Sequence, residues 1–320
     1  MNKELYEYMK KVVKNEFVFP CSAEFHPTNE CNQDCVWCIM REYRQEKVSF
    51  SQEQLQELGR QVVDGKHVKY FFFSGGGEPL CNDALFKSYI YEDNMYSSLF
   101  EMFYKNGISS SISTNGECLN RIVDTDVWKY VEMIRISLDA GREYSYRKLH
   151  RSQIGMQLIE VIHGIERYYK KSNKKIEISF LEIKENEGEY RELANLFSLP
   201  EAISRIVLKN LIGDREKDDH LAIEVNGIKI VRKFHKDLVL NNYINRTNIL
   251  INAHGDVYPC CHAMDKEKNK MGNLHIEELD RIILDNQDTI TPYHCSKCEN
   301  LEMNKLLNNF STIYQRKKHD

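Results

Sequence analysis

The alternation of strand-like and helix-like segments is the feature that most constrains the fold of this chain. Six short β patterns lie near 21–27, 67–74, 108–114, 132–138, 176–182 and 203–209. Helical patterns separate them, and 53–64 and 151–171 place apolar residues at helical spacing. Repeated strand-then-helix units predict parallel strands joined by crossover helices. We therefore expect an α/β fold, an open or partial (β/α)6 TIM-like barrel followed by a small Cys-rich α+β region.

The predicted strands have one apolar and one polar face. Ile134 and Ile136, for example, alternate with Arg135 and Ser137. A parallel strand that is buried on both faces should be apolar on both, so the polar face predicts a wet, ligand-holding lumen. Ionisable residues on that face are candidates for handling a substrate, including its deprotonation: Glu24, His26, Arg135, Glu177 and Lys209.

Composition limits the classes of function. The 320 residues are 42% hydrophobic and carry a net charge of −4, which does not favour tracking of nucleic-acid phosphates. The charged N-terminus lacks an apolar run, so it predicts neither a signal peptide nor a membrane span. We expect a cytoplasmic protein, in which ten cysteines indicate metal binding or catalysis rather than disulfides.

Three of these cysteines form a compact motif. Cys31, Cys35 and Cys38 are spaced C-x3-C-x2-C directly after the first predicted strand. A [4Fe–4S] cluster normally takes four cysteine ligands, so three would leave one iron open to another molecule. Zinc is the less favoured alternative, because zinc sites usually have C-x2-C pairs and four protein ligands.

Three further motifs follow predicted strands. Glycines 75–77 permit close approach of the backbone to a ligand, and Glu78 can accept a hydrogen bond from an ammonium group. The segments 113–116 and 137–139 place short polar side chains at the rim of the predicted lumen. N-caps and turns would use the same residue types.

Together these motifs resemble those of the radical S-adenosylmethionine (radical SAM) superfamily. The resemblance implies that AdoMet chelates the open iron and is cleaved reductively to methionine and a 5′-deoxyadenosyl radical, which abstracts a substrate hydrogen. It also implies a set of AdoMet contacts: Trp37, Gly76, Gly77, Glu78, Ser113, Asn115, Ser137, Asp139 and Arg151.

A second group of cysteines lies near the C-terminus: Cys260, Cys261, Cys295 and Cys298. On spacing alone a structural zinc site competes. The order Gly-x-Val-Tyr-Pro-Cys, Gly-Asn-Leu and C-x2-C resembles the SPASM/Twitch extensions of radical SAM enzymes, which implies at most one auxiliary [4Fe–4S] cluster here. Because adjacent side chains in extended backbone point apart, Cys260 and Cys261 are not both expected to ligate, and His262 is a substitute ligand.

The resemblance leaves the outcome of the reaction open. A free thiol can return a hydrogen atom and give epimerisation; Cys261 is the first candidate donor and Cys118 the second, whereas Cys21 and Cys81 are expected to be small core residues. An auxiliary cluster can instead accept an electron and give oxidation. The expected substrate is a sugar, an aminocyclitol or a similar small molecule, with a flavodoxin or ferredoxin as electron donor.

Two alternatives remain beside this function. One is modification of a peptide, and the other is a non-catalytic iron–sulfur or electron-transfer protein. The predicted organisation is an N-terminal helix within 1–20, a barrel over 21–212, a bridging region over 213–246 and an auxiliary cluster region with a C-terminal helix over 247–320.

Overall fold

The structure is a computed structural model, and it describes residues 3–210, 221–232, 243–264, 267–287 and 301–316. Its helices are α1 Lys3–Val13, α2 Gln52–Gly65, α3 Leu99–Lys105, α4 Asn120–Asp124, α5 Glu143–His150, α6 Leu158–Ser172, α7 Tyr190–Leu196, α8 Ile244–Thr247, α9 Leu279–Asp285 and α10 Leu301–Arg316. Its strands are β1 Ser22–Phe25, β2 Tyr70–Phe73, β3 Tyr89–Tyr91, β4 Asn94–Tyr96, β5 Ser109–Thr114, β6 Val131–Ser137, β7 Ile176–Glu182, β8 Ile203–Asn210, β9 Ala222–Val225, β10 Ile228–Arg232, β11 Asn248–Ile251, β12 Asp256–Tyr258 and β13 Gly272–Asn273.

One large sheet organises the described residues, in the order β13-β12-β11-β1-β2-β5-β6-β7-β8-β10-β9. All pairs from β11 through to β10 are parallel, and only the pairs at the two ends are antiparallel. The six predicted strands are β1, β2 and β5 to β8. The expected α/β partial barrel is therefore confirmed.

The face of the sheet that packs against the helices is apolar. Phe25, Phe71 and Phe73 are fully buried there and contact aromatic residues of the helix layer, including Phe100 and Phe103. Burial of a large aromatic side chain contributes about 2–3 kcal/mol, so this layer fixes which face of each strand points outward. The polar residues at alternate positions consequently face the lumen.

The strand register aligns a row of lumen residues across the sheet. Phe25 is opposite Phe73, which is opposite Ile112, which is opposite Ile134. One residue further along, on the lumen face, this row consists of His26, Ser74, Ser113, Arg135, Glu177 and Arg205. The register row at the ends of β1 and β2 therefore continues through the charged residues of β6, β7 and β8.

One predicted helix begins later than expected. The segment 151–171 was expected to be helical throughout, but α6 begins at Leu158 and Ile154 is exposed. Arg151 and Gly155 have positive φ angles of 51° and 75°, which end the preceding helix and keep the chain out of helical geometry until the capping box at Gln157. The helix over 53–64 is confirmed as α2.

The C-terminal region shares the sheet of the barrel. β11 pairs with β1 in parallel, with Ser22 opposite Asn248, and β12 and β13 extend the sheet from there. The predicted bridging region contains β9 and β10, which extend the other edge. No helix among the described residues is long and apolar enough to cross a membrane.

Candidate active site

The loop that follows β1 carries the three clustered cysteines. Cys31, Cys35 and Cys38 are all half-buried. Burial raises the pKa of the Cys31 thiol to about 11 and also raises that of Cys35, and a charge on either neighbouring thiol raises the pKa of Cys35 further. Metal binding at this loop must therefore displace protons from the thiols of Cys31 and Cys35.

The chemistry of these three thiols, clustered in one loop, suits an iron–sulfur cluster. Among the described residues, no group of three or more His, Cys, Asp or Glu side chains is close enough to hold one metal ion. Four irons hold their cysteine sulfurs further apart than one tetrahedral zinc does. The three thiols nevertheless lie within electrostatic reach of one another. Their chemistry fits a [4Fe–4S] cluster.

A buried carboxylate, Glu117, fixes the residues between the first two cysteines. It accepts hydrogen bonds from Asn32 Nδ2 at 2.7 Å, from Gln33 Nε2 at 2.9 Å and from the Tyr146 hydroxyl at 2.7 Å. Asn115 Nδ2 donates to Asn32 Oδ1 at 2.7 Å. Because these side chains are buried and satisfied, the ends of β5 and α5 hold the cysteine loop in one conformation.

A buried histidine completes this network. His150 Nε2 accepts the backbone N–H of Asp139 at 3.0 Å, and its Nδ1 lies 3.0 Å from Gln33 Oε1 and 3.8 Å from Cys35 Sγ. Burial lowers the pKa of His150 to about 3, so the ring is neutral. With Nε2 accepting, the single ring proton lies on Nδ1 and is directed at Gln33 and Cys35.

Trp37 and Arg151 both flank the cysteine loop. The Trp37 ring packs edge-on against His150, with centroids 5.4 Å apart. Arg151 ends α5 in left-handed conformation, and its exposed guanidinium lies 3.7 Å from Asp34 Oδ2. The structure thus brings both predicted AdoMet contacts next to the triad, with Arg151 paired to a carboxylate of the loop.

The glycine-rich loop after β2 interlocks with the cysteine loop. A Cβ on Gly77 would lie 1.9 Å from the carbonyl oxygen of Glu30, so only glycine fits this approach. The Gly77 and Glu78 backbone N–H groups donate to the carbonyls of Thr28 and Glu30. A Cβ on Gly76, in contrast, would meet Asn29, His26 and Met40 at 3.7 Å, so a side chain there makes only ordinary van der Waals contacts in a buried position.

Glu78 lies at the end of this loop, and its carboxylate is fully occupied by protein donors. It accepts from Thr114 Oγ1 at 2.7 Å, from the Asn115 N–H at 2.7 Å and from the Leu80 N–H at 3.1 Å. Burial raises its pKa to about 7 despite these bonds. The carboxylate therefore ties the glycine loop to the end of β5, and an ammonium group would have to share one of its oxygens.

The remaining rim residues differ in exposure. Ser113 and Ser137 are half-buried on the lumen faces of β5 and β6. Asp139 is buried, and burial raises its pKa to about 7; its Oδ1 accepts the Leu181 N–H at 2.5 Å. Asp139 thus fastens the loop after β6 to β7, whereas the two serines face the lumen.

Glu24 on β1 is the centre of a second cluster. Its Oε1 accepts from Ser74 Oγ at 2.7 Å and lies 3.5 Å from His26 Nε2. The Cys261 thiol also hydrogen-bonds to this carboxylate. Burial alone would raise the pKa of Glu24, but the interactions with His26, Ser74 and Cys261 together lower it below the ordinary value.

The two C-terminal cysteines of the described residues occupy different surroundings. Cys260 is buried in a small apolar cluster with Leu250, Tyr258 and Met264, and Met40 of the cysteine loop packs against this cluster. Cys261 lies at the margin of the cluster and reaches Glu24. Cys295 and Cys298 lie outside the described residues, as does the side chain of His262.

The other two predicted catalytic residues are already paired. The Cys118 thiol interacts with the Cys81 thiol, which lowers the pKa of Cys118 and raises that of Cys81, and it accepts from Asn32 Nδ2 at 3.7 Å. Glu177 lies between Arg135 and Arg205, and these guanidiniums overcome the effect of burial and lower its pKa. An ionised carboxylate held by two cations is a weak proton acceptor.

Five residues of the network escaped the sequence analysis: Asn32, Gln33, Glu117, Tyr146 and His150. Asn32 and Gln33, which lie inside the cysteine motif, were the available signal of this network. Their amides need hydrogen-bond partners if the loop is buried beside a cluster. Glu117 follows the predicted Ser-Thr-Asn-Gly turn directly, but nothing in its neighbours shows that it is buried.

These features define a class of protein: an iron–sulfur enzyme whose cysteine loop follows the first strand of a partial parallel barrel. Two family models match the chain, that of the Radical SAM superfamily over residues 25–197 and that of the SPASM iron–sulfur cluster-binding domain over residues 243–300. The first match covers more than half of the sequence, so the chain belongs to the radical SAM superfamily. Its cofactors are accordingly a [4Fe–4S] cluster, AdoMet and an auxiliary iron–sulfur cluster in the C-terminal region.

Solved structures of similar fold support this placement. SuiB of Streptococcus suis bound to the precursor peptide SuiA has a TM-score of 0.61 and 15% identity, covering 88% of this chain and 68% of SuiB. AdoMet-bound anSMEcpe has a TM-score of 0.59 and 15% identity, with coverages of 85% and 82%. anSMEcpe with AdoMet and the Kp18Cys peptide has a TM-score of 0.57 and 15% identity, with coverages of 89% and 88%. A comparison with curated protein sequences found no match.

Proposed function

We propose that this radical SAM enzyme epimerises a carbon centre of a substrate held in the barrel lumen, with Cys261 as the hydrogen-atom donor. Cys31, Cys35 and Cys38 hold the [4Fe–4S] cluster in this proposal, since they are the clustered thiols of the loop after β1. When bound, the cluster and AdoMet supply a 5′-deoxyadenosyl radical that takes a hydrogen atom from the substrate carbon.

Residues around the loop bind and orient AdoMet. Gly76 contributes backbone beside His26 and Met40, while Gly77 and Glu78 keep the loop in place. Ser113 and Ser137 offer hydroxyl groups on the lumen face. Trp37 and Arg151 offer an aromatic surface and a cation beside the cysteine loop. Asn115 and Asp139 hold the two rim loops through buried hydrogen bonds.

The interaction between the Cys261 thiol and the Glu24 carboxylate carries the proposal. It supports a thiol on the lumen side of β1, separate from the buried Cys260. Cys261 gives its hydrogen atom to the substrate carbon radical and becomes a thiyl radical. One electron from a flavodoxin- or ferredoxin-type reductase and one proton restore the thiol. Glu24, bonded to Cys261 and next to His26, is placed to relay that proton.

Oxidation of the substrate is the second candidate reaction. The ionised Glu24 carboxylate favours it, because loss of an electron from a substrate radical also requires a proton acceptor. Cys261 would then take no part in hydrogen transfer. The two reactions differ in product mass, because oxidation removes two hydrogens and epimerisation removes none.

A peptide is the better supported substrate class. SuiB and anSMEcpe, which share the fold, have been solved with bound peptides. A sugar or an aminocyclitol is the other class, and it requires a separate test. Anaerobic enzyme with AdoMet and dithionite should form 5′-deoxyadenosine faster with substrates of the correct class. Formation of no 5′-deoxyadenosine under any condition would contradict the enzyme assignment.

The role of Cys261 is tested by turnover in deuterated water. Epimerisation places one deuterium in the product, and Cys261→Ala should abolish that incorporation while 5′-deoxyadenosine still forms. Cys21→Ala is the matched control, because Cys21 directly precedes β1 and its thiol interacts with the Thr247 carbonyl and Tyr8. A product two hydrogens lighter, without deuterium, would reject epimerisation.

Measuring the iron content distinguishes a cysteine that ligates the auxiliary cluster from one that donates a hydrogen atom, and it does not require turnover. A Cys31/Cys35/Cys38→Ala variant should retain about four irons in the auxiliary cluster. Adding Cys260→Ala to that variant should remove them, whereas adding Cys261→Ala should not. Loss of iron with Cys261→Ala would make Cys261 a ligand and exclude it as the hydrogen donor.

A further inference from the structure

A row of alternating charges crosses the lumen face of β6, β7 and β8. Arg135, Glu177 and Arg205 are directly opposite one another in the register. Arg135 Nε donates to Glu177 Oε1 at 2.7 Å, and Arg205 donates to Glu177 Oε2 through Nε at 2.6 Å and Nη2 at 2.5 Å. The row therefore carries two positive charges against one negative charge.

The two guanidiniums retain donors that no described residue uses. Glu177 engages only the Nε of Arg135, and Arg205 uses Nε and Nη2. Both Nη groups of Arg135 and the Nη1 of Arg205 donate to no described group. The arginine side chains are 26% and 46% exposed, whereas that of Glu177 is only 5% exposed. The acid is thus buried beneath two cations that face the lumen.

The strand register connects this row of charges to the candidate active site. It belongs to the register row that also contains His26 and Ser74, which follow β1 and β2 at the start of the cysteine and glycine loops. Both His26 and Ser74 contact Glu24. A substrate that reaches Cys261 at β1 therefore enters a lumen whose wall at β6 to β8 carries free arginine donors.

We propose that Arg135 and Arg205 bind an oxyanion of the substrate, a carboxylate or a phosphate, and that the Glu177 carboxylate competes with this oxyanion for the two guanidiniums. Planar guanidinium groups match carboxylate and phosphate oxygens with paired donors. Glu177 occupies the inner donors of both groups and leaves their outer donors for the oxyanion. The assignment of the oxyanion to the substrate rests on the proposed function, whereas the binding of an oxyanion does not.

The test measures oxyanion binding to the reconstituted enzyme with AdoMet present at saturation. Thermal unfolding is followed while chloride is replaced by inorganic phosphate or by acetate at constant ionic strength. A ligand that binds the folded state alone raises the unfolding temperature with its concentration. We expect one of the two anions to stabilise the wild type beyond chloride. Phosphate as the stronger anion would indicate a phosphorylated substrate, and acetate a carboxylate.

Two variants locate the site, and a third gives an effect of opposite sign. Arg135→Gln and Arg205→Gln should each weaken oxyanion binding by about tenfold or more, because each removes a charged donor. Glu177→Gln should strengthen it, since it removes the competing negative charge and keeps an acceptor for one arginine. Arg167→Gln is the control; this exposed arginine pairs with Asp124 on the helix layer.

Several outcomes would overturn the proposal. The first is that chloride stabilises the wild type as much as phosphate and acetate do. The second is that Arg135→Gln and Arg205→Gln do not weaken oxyanion binding, or that Glu177→Gln weakens it. The third is that the arginine variants lose affinity for AdoMet and keep their affinity for the oxyanion. Failure of the proposed function appears separately, as a lack of 5′-deoxyadenosine formation by an enzyme that still binds the oxyanion.

Discussion

The imidazole of His150 accepts a hydrogen bond from the backbone N–H of Asp139 at its Nε2, 3.0 Å away, and this bond determines where the ring proton lies. The proton must be on Nδ1, directed at Gln33 Oε1 and close to Cys35 Sγ. A neutral donor is thereby fixed beside a thiolate of the proposed cluster. Donors beside ligating sulfurs are one of the means by which proteins adjust cluster potentials.

Replacement of His150 by phenylalanine should make the reduction potential of the cluster more negative. Loss of a hydrogen bond worth about 1–2 kcal/mol in the reduced state corresponds to roughly 40–85 mV for one electron. An EPR-monitored redox titration measures it, with iron content as the check for an intact site. His163→Phe, at an exposed position of α6, should leave the potential unchanged. An unchanged potential in His150→Phe would remove His150 from this role.

Glu117→Gln should destabilise the protein by about 1–3 kcal/mol. The amide cannot accept all the bonds from Asn32, Gln33 and Tyr146, so a buried donor loses its partner. Urea unfolding of the variant and of Glu4→Gln, on the exposed face of α1, measures the difference. Tyr146→Phe combined with Glu117→Gln should cost less than the sum of the single changes, because both act on one network. Simple additivity would argue against the network.

Gly77→Ala should displace the glycine loop and reduce both AdoMet affinity and cluster iron. Its Cβ would lie 1.9 Å from a backbone oxygen that cannot move independently. Gly164→Ala is the matched control, because its Cβ meets nothing within 4 Å and helix α6 should gain up to about 1 kcal/mol. Equal AdoMet binding by the two variants would contradict the interlocked loops.

The contribution of Glu78 to the stability of the AdoMet-free protein should fall as the pH rises from about 4.5 to 7. Burial raises the pKa of Glu78 to about 7, so the folded state holds a proton that the unfolded state has already lost in this range. The contribution is fully present below the unfolded pKa and is lost as the pH passes the folded value, a change of about 2–3 kcal/mol. Urea unfolding over this range should show a smaller slope in Glu78→Gln than in Glu4→Gln. Asp139 retains part of the slope, because its pKa is also about 7.

Local patterns predicted the barrel and the position of its motifs. Alternation along β6 and β7 indicated which residues face the lumen, because period-two burial is a property of each strand alone. The cysteine and glycine motifs could be placed because they follow strands directly. The later start of α6 depended on positive φ angles at Arg151 and Gly155, which helical periodicity does not reveal.

Contacts between segments that are distant in sequence could not be predicted from sequence patterns. Cys261 meets Glu24 only because β11 pairs with β1, a contact across most of the chain. Glu117 is buried because the cysteine loop covers it, and Glu177 lies between two arginines of neighbouring strands. Register and long-range pairing decide these neighbours, and neither is encoded in any single window of sequence.

The parallel pairing of β1 with β11 also sets an order of assembly. Ser22 lies opposite Asn248, so β1 keeps an unpaired edge during synthesis until the later strand has left the ribosome. Cys261 follows β11 by ten residues and arrives with the same strand. The half of the chain that carries the cysteine triad is thus made first, and the thiol proposed to end the reaction comes into place only when β11 adds to the edge of the sheet at β1.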